Sequence, residues 1–271
     1  MTQLVPLGMT TGITPPAIGA TALTQMRSHL AGLGLSTPGG SALFTVAAGI
    51  AADSTTTDLM TLAASLQKAG NAAWSVGAGG GSLDTGTIAN STWYHVHLIK
   101  RTDTGVVDVL TSLSATAPTL PANYTLFRRI GAMKTTAGGV WTSFTQIGDE
   151  FLWATAVQDV AVTNLGATPT LYALGSVPPG LNVKARVRGY ATNATANTFA
   201  VVSSTYETIA PNSPAGSITV SNSAASTSQG ATFTLDILTD TAARIQAVAS
   251  NASTTLQVVT YGWIDRRGRD A

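Results

Sequence analysis

The stretch STWYHVHLIKRTDTGVVDVLTSLS, residues 91–114, sets two runs of apolar and β-branched residues on either side of Thr102-Asp103-Thr104-Gly105. Aspartate braces a turn through its own side chain and glycine accepts a positive φ, so the spacing predicts a β-hairpin. A loop of four residues pairs Leu98 with Val109, Val96 with Thr111 and Tyr94 with Leu113. That face is mostly apolar and is expected to meet the core. The opposite face carries Trp93, His95, His97 and Ile99 beside Asp108, Leu110 and Ser112, a mixed surface of the kind found under a loop or against another subunit. A slip of one residue would exchange the two faces.

His95 and His97 are two of the three histidines, the third being His29. On a strand both imidazoles point the same way, about 6.5 to 7 Å apart, a spacing that can chelate zinc or iron. Strand-borne His-x-His sites of the cupin kind add a glutamate a few residues on and a later histidine, because the metal needs three or four ligands. Here Leu98, Ile99, Lys100, Arg101 and Thr102 follow, and the basic pair opposes a cation. The expectation is two strand histidines hydrogen-bonded to their neighbours, with no metal and no cofactor.

Outward from the hairpin, short apolar runs recur from Ala42 onward, each closed by glycine, proline, asparagine or aspartate, the signal for many strands joined by turns. Residues 126–134 and 140–147 suggest a second hairpin around Ala137-Gly138-Gly139, with a strand over 151–162 after it. Residues 182–190 alternate, Val183, Ala185 and Val187 against Lys184, Arg186 and Arg188, as on a half-exposed strand. Further strands are expected over 199–206, 217–220, 232–238, 244–249 and 256–263. The fold class is therefore all-β: an antiparallel β-sandwich of jelly-roll type. Residues 1–41 read as an N-terminal docking arm, with a helix over 18–33 bracketed by Pro15-Pro16, Thr37-Pro38 and Gly39-Gly40. Residues 42–271 form the sandwich region, in two packed halves dividing near 155–165. Leu59, Leu62 and Leu66 keep a helix-like spacing, so residues 58–68 are open to either reading.

Bulk composition narrows the function. Of 271 residues 44% are hydrophobic, enough for a core, while only 10% are charged and the formal net charge is +1. Typical soluble domains carry roughly 25% charge; here threonine, serine, alanine and 27 glycines supply a nearly neutral, hydroxyl-rich exterior. Such a surface has no field to attract nucleic acid or anionic lipid, and it favours association with neighbouring subunits. The absence of cysteine excludes disulfides, thiolate metal sites and thiol nucleophiles. No secretion signal or membrane-inserting segment is expected.

Catalytic patterns fail in detail. VGAGGGSLDTG, residues 76–86, has no lysine for a P-loop and places Ser82 where Gly-x-Gly-x-x-Gly needs its last glycine. A tight turn is expected instead. Only Glu150 and Glu207 are glutamates, and Asp149-Glu150 would face opposite sides of a strand, whereas a glycosidase needs two converging carboxyl groups. No catalytic residues are assigned. Trp74, Trp93, Trp141, Trp153 and Trp263 are scattered along the chain and expected in packing, with one or two free for a sugar platform. The ending Trp263 to Asp270, WIDRRGRD, is expected as a solvated tail, or else a docking peptide.

The runs GGGSLDTGTIANSTWYHVHLIKRTDTGVVDVLTSLSATAPTLPANYTLFRRIGAM (79–133), FTQIGDEFLW (144–153) and YGWIDRRGRD (261–270) together resemble structural proteins of tailed bacteriophages and prophages, of the tail or fibre-associated kind. The resemblance implies a β-rich, oligomeric virion protein without catalytic residues, assembled in the host bacterial cytoplasm. Its implied partners are other virion proteins and further copies of itself, most simply as a trimer. A head or neck decoration protein, a module binding host-surface carbohydrate and a polysaccharide-degrading enzyme stand as the alternatives.

Overall fold

Turn residues every few positions leave little room for helices, and none is present among the described residues of the computed structural model, which are 26, 28–195, 197–211, 218–221 (backbone only) and 230–269. In chain order the strands are β1 (Leu30–Gly32), β2 (Leu35–Ser36), β3 (Leu43–Val46), β4 (Gly49–Ala52), β5 (Leu59–Leu62), β6 (Leu66–Ala73) and β7 (Gly81–Leu83). Then come β8 (Trp93–Arg101), β9 (Val107–Ser112), β10 (Tyr124–Lys134), β11 (Phe144–Ile147), β12 (Glu150–Leu165) and β13 (Thr170–Ala173). The last are β14 (Lys184–Thr192), β15 (Thr198–Ser204), β16 (Ile218–Ser221), β17 (Gly230–Leu238), β18 (Arg244–Ala249) and β19 (Thr254–Ile264).

They form four sheets: β1-β4-β5, β10-β8-β9-β7-β6-β3-β2, β11-β12-β19-β14-β17 and β13-β18-β15-β16. The change from the first pair of sheets to the second falls between Lys134 and Phe144, ahead of the expected 155–165. One continuous apolar core joins them, containing Leu33, Phe44 and Val96 from the first pair and Phe151, Val187 and Trp263 from the second. Aromatic rings mark the junction. Trp93 meets Trp263 edge-on at 5.3 Å and Trp153 at 5.7 Å, and Phe151 stacks on Trp263 at 4.8 Å. Three tryptophans that are far apart in sequence are thus one cluster in space.

The opening hairpin is β8–β9, with Val96 opposite Thr111 and Leu98 opposite Val109, as the turn chemistry dictates. The strand stops at Ser112, so Leu113 is 64% exposed and does not reach the core face expected of it. The second expected hairpin closes only at its tip, where Thr136 N–H donates to Val140 and Thr142 N–H to Lys134. β10 pairs with β8 instead, and β11 crosses to pair with β12.

Two segments with helix-like signals are strand where they are described. Residues 58–68 form β5 and the start of β6, because pairing with β4 and β3 satisfies their backbone and buries Met60 and Leu62. Most of the expected helix over 18–33 lies outside the described residues, but its end, Leu30–Gly32, is strand β1 paired with β4. The later part of the arm is likewise tied into the body: Leu30, Leu33 and Leu35 are buried, and Leu35 N–H donates to Gln146 Oε1 at 2.6 Å.

Candidate functional site

The alternation of β8 puts His95 and His97 on one side of the sheet, where Arg129 of the neighbouring β10, Pro179 and Gly180 after β13 and Asp265 lie beside His95. Both are buried, 2% and 0% exposed. Arg129 on β10 donates from Nε to His95 Nδ1 at 3.0 Å. A ring nitrogen that accepts cannot carry a proton, so His95 is the Nε2–H tautomer, and that N–H faces the Pro179 carbonyl. His97 Nε2 bonds the Ser114 carbonyl at 3.0 Å, and its ring packs edge-on against Phe127 at 5.8 Å.

The other end of Arg129 makes a two-pronged pair with Asp265, at 2.9 and 2.6 Å. Planar guanidinium and carboxylate match in shape, and charge-assisted forks of this kind are strong where water is excluded. Asp265 also accepts the Arg267 N–H at 2.8 Å. Arg267, itself buried, donates to the Gly32 carbonyl at 3.0 Å and pairs with Asp149 at 3.3 Å, while Arg269 also engages Asp149. The sequence DRRGR is therefore an internal clamp that ties β1, β8, β10 and the β11–β12 turn to the end of β19. The expected solvated tail is corrected: three of its charged side chains are consumed by the body of the protein.

Electrostatics follow from this packing. Burial, reinforced by the neighbouring Arg129 charge, pushes His95 down to about 3. Burial pushes His97 down to about 4 against the pull of its Ser114 bond. Burial alone would raise Asp265, but the Arg129 guanidinium and the hydrogen bonds to it hold the carboxyl below its usual range. Both imidazoles are thus neutral near pH 7 and the carboxylate is charged. His95 has both ring nitrogens engaged, and the cation beside it is one that never gives up its proton. The array ties β8, β10 and the end of β19 together. Among the described residues no cluster of three or more histidine, cysteine, aspartate or glutamate side chains could hold a metal.

The glycine-rich loop has an inverted polarity for phosphate. Lys68 is fully buried beneath it, donating to the Ser75 and Gly77 carbonyls at 2.6 and 3.2 Å and paired with Asp108 at 3.0 Å. Gly77 N–H donates to the other Asp108 oxygen at 2.7 Å. A phosphate cradle turns N–H groups inward; this loop turns carbonyls inward around its own ammonium. Burial lowers the Lys68 pKa, with Asp108 opposing. The outer side of the hairpin is closed by Trp74, whose ring meets Tyr124 edge-on at 5.0 Å and covers Ile99 and Leu110.

The remaining carboxyl candidates are also engaged. Glu150 pairs with Arg186 at 2.7 Å, and Glu207 accepts the Ser203 hydroxyl. Trp93 and Trp153 donate from Nε1 to the Gly175 and Ser176 carbonyls, both at 3.0 Å, fixing the loop that lies beside His95. Sequence reasoning found the histidines and missed Arg129 and Asp265, which lie 136 residues apart. No family model matches the chain, and no curated protein or solved structure is significantly similar to it.

Proposed function

We propose that the chain is a non-catalytic structural component of a tailed bacteriophage virion, tail or fibre-associated, built as a β-sandwich of jelly-roll type and assembled as a homotrimer. The observation that carries this reading is how the scarce charge is spent. Lys68, Asp108, Arg129, Asp265 and Arg267 are buried in internal pairs, while Val76, Leu113, Ile147 and Leu171 stand about half or more exposed. A protein that keeps several of its few ions in internal pairs and leaves a nearly neutral, hydroxyl-rich exterior is suited to lying against neighbours. The resemblance of residues 79–133, 144–153 and 261–270 to phage structural proteins supports the same reading. Docking on other virion proteins falls to the N-terminal arm, residues 1–41, and to the exposed sheet faces.

Quantitative mass spectrometry of gradient-purified particles from the encoding bacterium tests it. The protein is expected in the particle fraction at a fixed copy number divisible by three. Recovery from the lysate but not from particles would refute the assignment.

A further inference from the structure

On the outer face of the β11-β12-β19-β14-β17 sheet, Arg188, Tyr190, Thr232, Thr234, Gln257 and Val259 line a shallow depression of about 280 Å³. Strand register assembles it. Tyr190 lies opposite Thr232 on one side and Gln257 on the other, and Arg188 lies opposite Thr234 and Val259. Glycine at position 230 makes room: the edge and hydroxyl of the Tyr190 ring lie where a Cβ there would project, 2.3 Å from it. The ring is thereby laid over the sheet instead of standing off it.

Arg188 and its neighbour Arg186 both stack on Tyr261, at 5.7 and 5.3 Å from the ring centre. Arg186 is neutralised by Glu150 and Asp236. Arg188 is exposed, and no carboxylate among the described residues pairs with it. Its guanidinium therefore lies over an aromatic ring and remains open to solvent, at the rim of a hollow that also offers an aromatic surface, an amide and two hydroxyls.

We propose that this depression binds a saccharide bearing a carboxylate, a uronic acid unit. The apolar face of the pyranose ring packs on Tyr190, its hydroxyls bond to Gln257, Thr232 and Thr234, and its carboxylate takes the fork of Arg188. The hollow lies below the roughly 300 to 1,000 Å³ of sites for drug-sized ligands, which limits it to one ring and its substituents. Affinity is accordingly modest, on the order of 0.1 to 1 mM. The site stands independently of the virion assignment.

Saturation-transfer NMR and calorimetry with tetrasaccharides of polygalacturonate, hyaluronan and heparosan, each as the acid and as its methyl ester, test the proposal on the full chain. At least one acid form is expected to bind, and its ester to bind about tenfold more weakly. Arg188→Gln should bring acid and ester to the same weak affinity, and Tyr190→Ala should abolish both, with unfolding curves confirming that each variant is folded. Should Tyr190→Ala not fold, Arg188→Gln alone decides. Absence of binding by every acid form, equal binding of acid and ester to the unaltered protein, or affinity unmoved by Arg188→Gln overturns it.

Discussion

Acidification from pH 7.5 to pH 5 should destabilise the fold by about 4 kcal/mol, His95 and His97 contributing about half each. In the folded protein their pKa values are about 3 and about 4; in the unfolded chain both return to about 6.5. At pH 5 each unfolded imidazole has therefore taken up nearly one proton that its folded counterpart refuses. The difference of about 1.5 pH units below the unfolded pKa, at 1.36 kcal/mol per unit, gives about 2 kcal/mol per histidine. A depressed folded pKa means that the stability is fully present above about pH 6.5 and is lost as pH falls toward the folded values. Urea unfolding at pH 7.5, 6 and 5 measures it, and the slope should approach uptake of two protons on unfolding. His97→Gln should halve that slope whatever it does to stability at pH 7.5. Carbon-bound imidazole proton shifts of His95 and His97 should stay flat from pH 8 to 5. Loss of less than about 1 kcal/mol by pH 5, or either imidazole titrating near 6.5, would refute the burial and Arg129 argument.

Three further outcomes follow from the same packing. Arg129→Met leaves Asp265 as an uncompensated buried charge beside His95, and chemical denaturation at pH 7.5 should show a loss of about 3 to 5 kcal/mol; replacing Asp265 by Leu in the same chain should recover much of it. Gly70→Ala places a methyl 2.3 Å from the Trp141 ring, and thermal unfolding should register an overpacking cost of about 1 to 3 kcal/mol. Association through neutral faces should be insensitive to screening, so sedimentation at low and at about 1 M salt should give the same trimer; a monomer in both, or dissociation at high salt, would contradict it.

What could be read along the chain was what neighbouring residues decide among themselves. Asp103 and Gly105 define a turn, and the turn fixes the β8–β9 register. Alternation through Val183, Ala185 and Val187 fixes which side of β14 is buried. Leu59, Leu62 and Leu66 left the reading open because helix and strand spacings coincide over so few residues, and only the partners β4 and β3 arbitrate. The clamp was illegible for a different reason. Charges near the end of a sequence ordinarily stay in water, and nothing local to Asp265 announces that Arg129 awaits it on another sheet. The same holds for Lys68 on β6, whose partner Asp108 lies on β9, beyond β7 in the same sheet.

The claim that this is a virion component is tested most directly by cryo-electron microscopy of intact particles from the encoding bacterium. The account predicts density into which the sheets fit as a trimer at the tail or its fibres, with residues 265–269 clamped inside each subunit and apolar outer positions such as Leu171 covered by neighbours. A particle map fully accounted for by other proteins, with no density of this shape at any site, would contradict it.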